Sequence, residues 1–245
     1  MMEGVLAAAA CIAAAGSWVQ LRFANRPIYG MRRSALAEGS SDLEANVLGA
    51  VTLSAAGCFG FANAPSWAAL VLLLAVGRLD TRARHRWEGH DLTRLGRYSP
   101  AGAMLLGWLG GLAAGSLAGA PDPATWARHA SAGVLGSAYF LAAIAKLRTT
   151  GRGWVRGMNM QLLLAERAGP SVPGRLRGRL ATWPRICSSI GALGLGAELL
   201  AILLVLPACR PAVATGLVLF HVLIWGLFGY LELEWMLALV AAGLT

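Results

Sequence analysis

The chain has 245 residues, of which 57% are hydrophobic and only 13% charged, with a mean hydropathy of +0.59. A soluble globular chain is about a quarter charged, so this composition excludes an ordinary water-soluble domain and points to a bilayer as solvent. The formal charge of +9 falls mostly between apolar runs, which speaks for membrane topology; with no recognition module or basic aromatic groove, nucleic acid is not expected as a partner.

A spanning helix needs about 20 mostly apolar residues. The first run, residues 4–21, is Ala-rich like the core of a signal peptide. Glu3 is the only charged side chain ahead of it, and no basic residue precedes it, so it reads as a first transmembrane helix. Further runs follow at 45–62, 65–79, 100–119, 127–147, 186–206 and 211–230, with a short eighth at 231–244. In lipid the backbone must satisfy its own polar groups, so helices are the expected form. The expected fold is all-α: a polytopic bundle of about seven or eight transmembrane helices, residues 1–245 as a single membrane domain.

The connections alternate in charge. Loop 22–44 carries Arg22, Arg26, Arg32 and Arg33, whereas 63–64 carries none. Loop 80–99 holds Arg82, Arg84, Arg86, Arg94 and Arg97, with Arg78 just before it. Loop 120–126 has Asp122 and no base. Loop 148–185 has Arg148, Arg152, Arg156, Arg167, Arg175, Arg177, Arg179 and Arg185, and 207–210 has only Arg210. The positive-inside rule then places the N-terminus outside and the arginine-rich loops in the cytoplasm, in a multi-pass protein of the cell membrane.

Glycines at 107, 110, 111 and 115, and at 191, 194 and 196, are expected to let helices approach closely. Cys11, Cys58, Cys187 and Cys209 form no CxxC pair and are expected to pack as small hydrophobes, with neither a metal site nor a disulfide framework. Walker A, dinucleotide, HExxH and GxSxG signatures are absent, as is an aspartate-rich motif for magnesium diphosphate.

Polar residues inside apolar runs are the candidates for chemistry. The chain has 20 arginines and one lysine, Lys146, which closes the run Tyr139-Phe-Leu-Ala-Ala-Ile-Ala-Lys146. A desolvated lysine, unlike arginine, can lose its proton and act as a general base; the competing reading is a lysine that snorkels to the headgroups. Glu198 lies in a Gly- and Leu-rich run, where an acid is costly and marks either a functional site or a structural partner for a cation. His221 lies mid-run, as a catalytic group or a cross-helix hydrogen-bond former. His90, in a basic loop, reads by itself as a solvated histidine. Glu232 and Glu234 interrupt the last run and mark a turn or a break facing the bundle; two residues apart, they do not share a helical face.

The tract Tyr139-Phe-Leu-Ala-Ala-Ile-Ala-Lys146-Leu147, followed by Trp154-Val-Arg-Gly157, resembles the vitamin K-dependent gamma-carboxylase family and its bacterial relatives with the HTTM membrane domain. That family carries a tract of the form Tyr-Phe-x-Ala-Gly-x-x-Lys-Leu and then Trp-x-x-Gly. A later membrane acid (Glu198), a Phe-His pair (Phe220-His221) and an upstream Trp-x-x-His (Trp87 to His90) follow in the family's order, so the likeness spans about residues 80–240. The resemblance implies Lys146 as base toward a hydroquinone, His90 in the quinone chemistry, and a reduced quinone and dioxygen as co-reactants. Ala143 stands where the family has glycine, and the loop before Trp154 is longer and arginine-rich. The large extramembrane client-binding region of the true carboxylase has no counterpart here, which turns the expectation away from a peptide carboxylase.

The expected function is thus a membrane enzyme acting by acid/base chemistry on a lipid-soluble, quinone-like or prenylated molecule. Lys146, His90, Glu198 and His221 are its catalytic candidates. Tyr139, Trp154, Trp225, Tyr230 and Glu232 are its substrate-binding candidates; its partners are the bilayer and a hydrophobic small molecule. One alternative is a membrane terpene cyclase, in which Glu198 or Glu232 protonates an alkene or epoxide. The faces of Trp154, Trp225, Tyr230 and Trp235 would then stabilise the cation. A second alternative is a non-catalytic immunity or sensing protein that reuses the fold.

Overall fold

The computed structural model describes residues 1–23, 42–61, 65–86, 99–228 and 232–245. Among them every regular element is helical, and no strand occurs. The helices are α1 (Met2–Phe23), α2 (Asp42–Phe61), α3 (Pro65–Arg86), α4 (Pro100–Leu117), α5 (Pro123–Thr150), α6 (Met158–Glu166), α7 (Val172–Ala181), α8 (Pro184–Leu200), α9 (Arg210–Phe228) and α10 (Leu233–Gly243). Among the described residues four helical stretches are long and apolar enough to cross a membrane: Pro100–Leu117, Pro123–Gly153, Pro184–Val205 and Pro207–Phe228. Shorter apolar helices cover Met2–Trp18, Asn46–Gly60, Trp67–Leu79 and Leu233–Gly243.

Local chemistry sets the boundaries. Ser99 accepts a hydrogen bond from the Gly102 amide at 3.0 Å, with Pro100 opening α4. Asp122 does the same for Ala124 at 3.1 Å ahead of Pro123, and Ser171 for Gly174 at 3.2 Å. Each side chain satisfies an amide that the first turn leaves free, and proline fits there because its missing N–H costs nothing. Helix α5 stops at Gly151, where φ is 54°, a conformation only glycine adopts freely.

Helix α1 packs on α2, α3 and α10, and α4 lies flush along α5. The core is therefore an apolar interior of Leu6, Phe59, Leu72, Met104, Trp108, Leu135, Leu204 and Leu239. The Phe59 and Trp108 rings meet edge to face at 5.5 Å. The α4–α5 contact is made through glycine. A Cβ at Gly111 would stand 2.5 Å from the Trp126 carbonyl oxygen, and one at Gly107 2.9 Å from that of Ala130. A Cβ at Gly115 would meet Pro123 at 3.0 Å, whereas at Gly110 and Gly196 nothing lies within 4 Å. Close backbone approach thus explains Gly107, Gly111 and Gly115 but not Gly110 or Gly196.

The outer surface is also apolar. Leu53, Leu74, Leu106, Leu141, Leu193 and Leu219 are each more than 60% exposed. Leucine exposed on six helices is what a bilayer-facing surface needs and what a water-facing surface avoids.

Two expectations are corrected. The region 80–99 does not begin as a loop, because α3 continues to Arg86 and carries Arg78, Arg82 and Arg84 on the helix. The connection 148–185 is not one loop but contains α6 and α7. Its Gly, Pro and Arg content hides short helices whose apolar faces are only one or two turns long.

Candidate functional site

Helix α5 supplies two of the polar groups. Tyr139 and Lys146 are seven residues apart, hence on one face and about 10.5 Å apart along the axis. Helix α8 supplies Glu198, α9 supplies His221, and Glu232 stands at the start of α10. The approach of α5 to the 3-10 turn Ala201–Val205 that follows α8 depends again on glycine: a Cβ at Gly136 would lie 2.6 Å from the Ala201 carbonyl oxygen.

The lone lysine finds the intramembrane acid. Lys146 Nζ donates to Glu198 Oε1 in an ion pair. Glu198 is 7% exposed, whereas the Lys146 side chain keeps about a third of its surface exposed (34%). The second carboxylate oxygen, Oε2 of Glu198, is buried without a hydrogen-bond partner among the described residues. A buried acceptor is normally satisfied, so this oxygen is a costly one. Lys146 also lies 5.1 Å from the ring centre of Trp154, within cation–π range. Trp154 is held there by its own backbone, because Gly191 on α8 leaves no room for a Cβ against the Trp154 carbonyl. Ser188 of the same helix donates to the Val155 carbonyl.

The other end of the seam is a three-membered chain. The Tyr139 hydroxyl lies 2.5 Å from His221 Nε2, and His221 Nδ1 lies 2.9 Å from Glu232 Oε2. Tyr139 and His221 are 5% and 4% exposed. The Glu232 oxygen sits off the Nδ1 proton direction, so the approach is an electrostatic contact rather than an aligned hydrogen bond. The Nδ1–H tautomer suits this arrangement, since it puts the proton on the nitrogen nearer the carboxylate and leaves Nε2 to accept from the phenol. Trp235 stacks on His221 at 6.2 Å with 17° between the planes and meets Tyr139 edge to face at 4.9 Å. The imidazole is therefore fixed by rings on two sides and by polar groups at both nitrogens.

Lys146, Glu198, His221, Tyr139, Trp154 and Glu232 thus fall into two adjoining clusters. Trp225 does not join them: it lies half exposed on α9 and makes no ring contact among the described residues. His90 and Tyr230 lie outside the described residues. Trp235, weighed only as an aromatic face for the cyclase alternative, is the ring that packs on both His221 and Tyr139. The pairing of Tyr139 with His221 spans 82 residues and leaves no local spacing signal. Glu234 turns away from this cluster, accepting from the Ser99 hydroxyl at 2.6 Å and the Ala101 amide at 3.3 Å.

Among the described residues no group of three His, Cys, Asp or Glu converges as a metal site would require. The arrangement is one of proton donors and acceptors in an apolar bundle. Comparison of the chain with family models, curated proteins and solved structures finds no match to any of them.

Proposed function

We propose that this chain is a multi-pass membrane enzyme that moves protons on a lipid-soluble, quinone-like or prenylated substrate. The observation that carries the reading is the burial of Glu198 and His221, each contacted by an ionisable partner from another helix, inside an otherwise apolar bundle. Ionisable groups at membrane depth are costly and mark functional sites by default. Lys146 gives or takes the proton at the substrate, and Glu198 is its paired acid. His221, oriented by Glu232, takes or returns a proton through the Tyr139 hydroxyl. The likeness to the gamma-carboxylase family supports a reduced quinone and dioxygen as co-reactants. Among the described residues four long apolar helices support the membrane reading; with the four shorter apolar helices as further crossings the count would be seven or eight, with the N-terminus outside and the arginine-rich connections in the cytoplasm.

The test is mass spectrometry of the organic extract of detergent-purified protein, wild type against Lys146→Ala. An enriched quinone or prenylated molecule that is altered or lost in the variant is the expected result. Bulk phospholipid alone in both would overturn the reading.

A cyclase is the second reading, favoured by the Tyr139 and Trp235 rings, which meet edge to face beside His221, the residue that Glu232 contacts. It requires an acid but neither oxygen nor Lys146. Turnover that survives Lys146→Ala and proceeds without oxygen would select it.

A further inference from the structure

Between the long apolar stretches Pro123–Gly153 and Pro184–Val205 the chain builds a hairpin of α6 and α7. These helices have 9 and 10 residues, so they extend about 14–15 Å, half of a hydrocarbon core, and neither can span it. Met160 and Leu164 of α6 bury one face, with Cys187 and Phe228, in a small core of their own against the ends of α8 and α9. Arg177 anchors α7 by donating to the Leu227 carbonyl, and Gln161 donates to the Ala181 carbonyl at 3.1 Å. The hairpin is thus a fixed part of the fold.

After that core is satisfied, a second set of apolar side chains is left uncovered. Met158, Leu162, Val172, Leu176 and Trp183 are each more than half exposed. Arginine is dense in the same segment. Residues 148–185 contain eight arginines and a single acid, Glu166. Arg152, Arg156, Arg179 and Arg185 are exposed, and their side chains hold no hydrogen bond or ion pair among the described residues. At the junction of α7 and α8 an open cleft is lined by Thr182, Trp183, Pro184, Arg185 and Ile186. Short helices that expose leucine, valine and tryptophan beside unpaired guanidinium groups fit one environment: the boundary between acyl chains and negatively charged headgroups.

We infer that the hairpin of residues 151–185 is an in-plane surface element whose exposed arginines bind anionic phospholipid. The leucine, valine and tryptophan side chains enter the acyl boundary, and the guanidinium groups engage phosphates, for which their forked donors are suited. The charge count decides the occupant. Seven arginines against one acid within residues 151–185 attract an anionic surface, and a zwitterionic one offers them no net field. The inference rests on the membrane reading but not on the proposed chemistry.

The experiment reconstitutes the full chain in mixed micelles of equal phosphatidylcholine and phosphatidylglycerol, repurifies it, and measures the retained lipid by mass spectrometry. Wild type is expected to hold phosphatidylglycerol at least threefold over phosphatidylcholine. The variant with Arg152→Gln, Arg156→Gln, Arg179→Gln and Arg185→Gln is expected to lose that preference, to a ratio near one. Lysine at the same four positions is expected to keep most of it. The four side chains are exposed, and circular dichroism confirms that each variant is folded. A ratio near one in wild type, or a preference that the glutamine variant retains, would overturn the inference. Protein released from its native membrane by alkaline carbonate, without detergent, would instead overturn the membrane reading itself. Binding of a single-stranded oligonucleotide that removes the lipid preference at stoichiometric concentration would overturn lipid as the occupant in favour of nucleic acid.

Discussion

At the scale of single residues, the Lys146–Glu198 pair is the clearest energetic statement of the molecule. Removing one partner of a buried pair costs about 3–5 kcal/mol because the other charge is stranded. Lys146 keeps a third of its side chain exposed, so the loss here is smaller. Glu198→Leu is expected to destabilise the detergent-solubilised protein by about 1–3 kcal/mol in thermal unfolding. The double change Lys146→Met with Glu198→Leu is expected to recover much of that loss, because it removes both charges at once. Single variants within about 0.5 kcal/mol of wild type would show that the pair is hydrated and worth no more than a surface bridge.

Much of this was legible in the sequence, and the reason is the solvent. In a chain that is 57% hydrophobic, a lysine, a glutamate and a histidine inside apolar runs stand out one by one. What each of them touches does not. Lys146 and Glu198 are 52 positions apart, Tyr139 and His221 82, and only the packing of α5, α8 and α9 decides those pairings. The sequence offers Tyr139 as a substrate-binding residue; its hydroxyl gains meaning only from the imidazole opposite. Trp225 illustrates the converse, since one turn beyond His221 a tryptophan already faces outward.

At the scale of elements, the glycines separate into those that carry contact and those that do not. Gly111→Ala is expected to cost about 1–3 kcal/mol through overpacking, because its Cβ would press on the backbone of α5 at 2.5 Å and 2.8 Å. Gly110→Ala, one residue away with nothing within 4 Å, is expected to be neutral or to stabilise by up to about 1 kcal/mol through helix propensity. Thermal unfolding of the two variants side by side checks this, and equal effects would contradict the close approach of α4 and α5. The helix runs themselves were readable from hydropathy, including the split of the last two at Glu232. The short helices α6 and α7 were not, because their buried faces are one or two residues wide and their capping and basic residues read as loop.

At the scale of the whole molecule, the apolar exterior and the alternating arginine content lead to a prediction about sidedness. In a cysteine-free background, single cysteines at Ala120 and Ala168 are expected to react with a membrane-impermeant maleimide from opposite faces of the membrane. In right-side-out vesicles Ala120→Cys is labelled and Ala168→Cys is protected until the vesicles are opened. Labelling of both from one side would mean that α5 does not cross.

The glycine-lined contact of α4 and α5 also has a consequence in time. The two helices are joined by a handful of residues, so their contact is local and can close as soon as both have left the ribosome. Lys146 arrives with that hairpin, and Glu198 follows 52 residues later. At a synthesis rate of about 5–20 residues per second, the ammonium waits roughly 3–10 s for its counter-charge. Throughout that interval the cell holds a membrane helix with an unneutralised lysine near its end. The order of appearance, rather than the finished fold, makes this stretch of the chain the one most exposed to quality control.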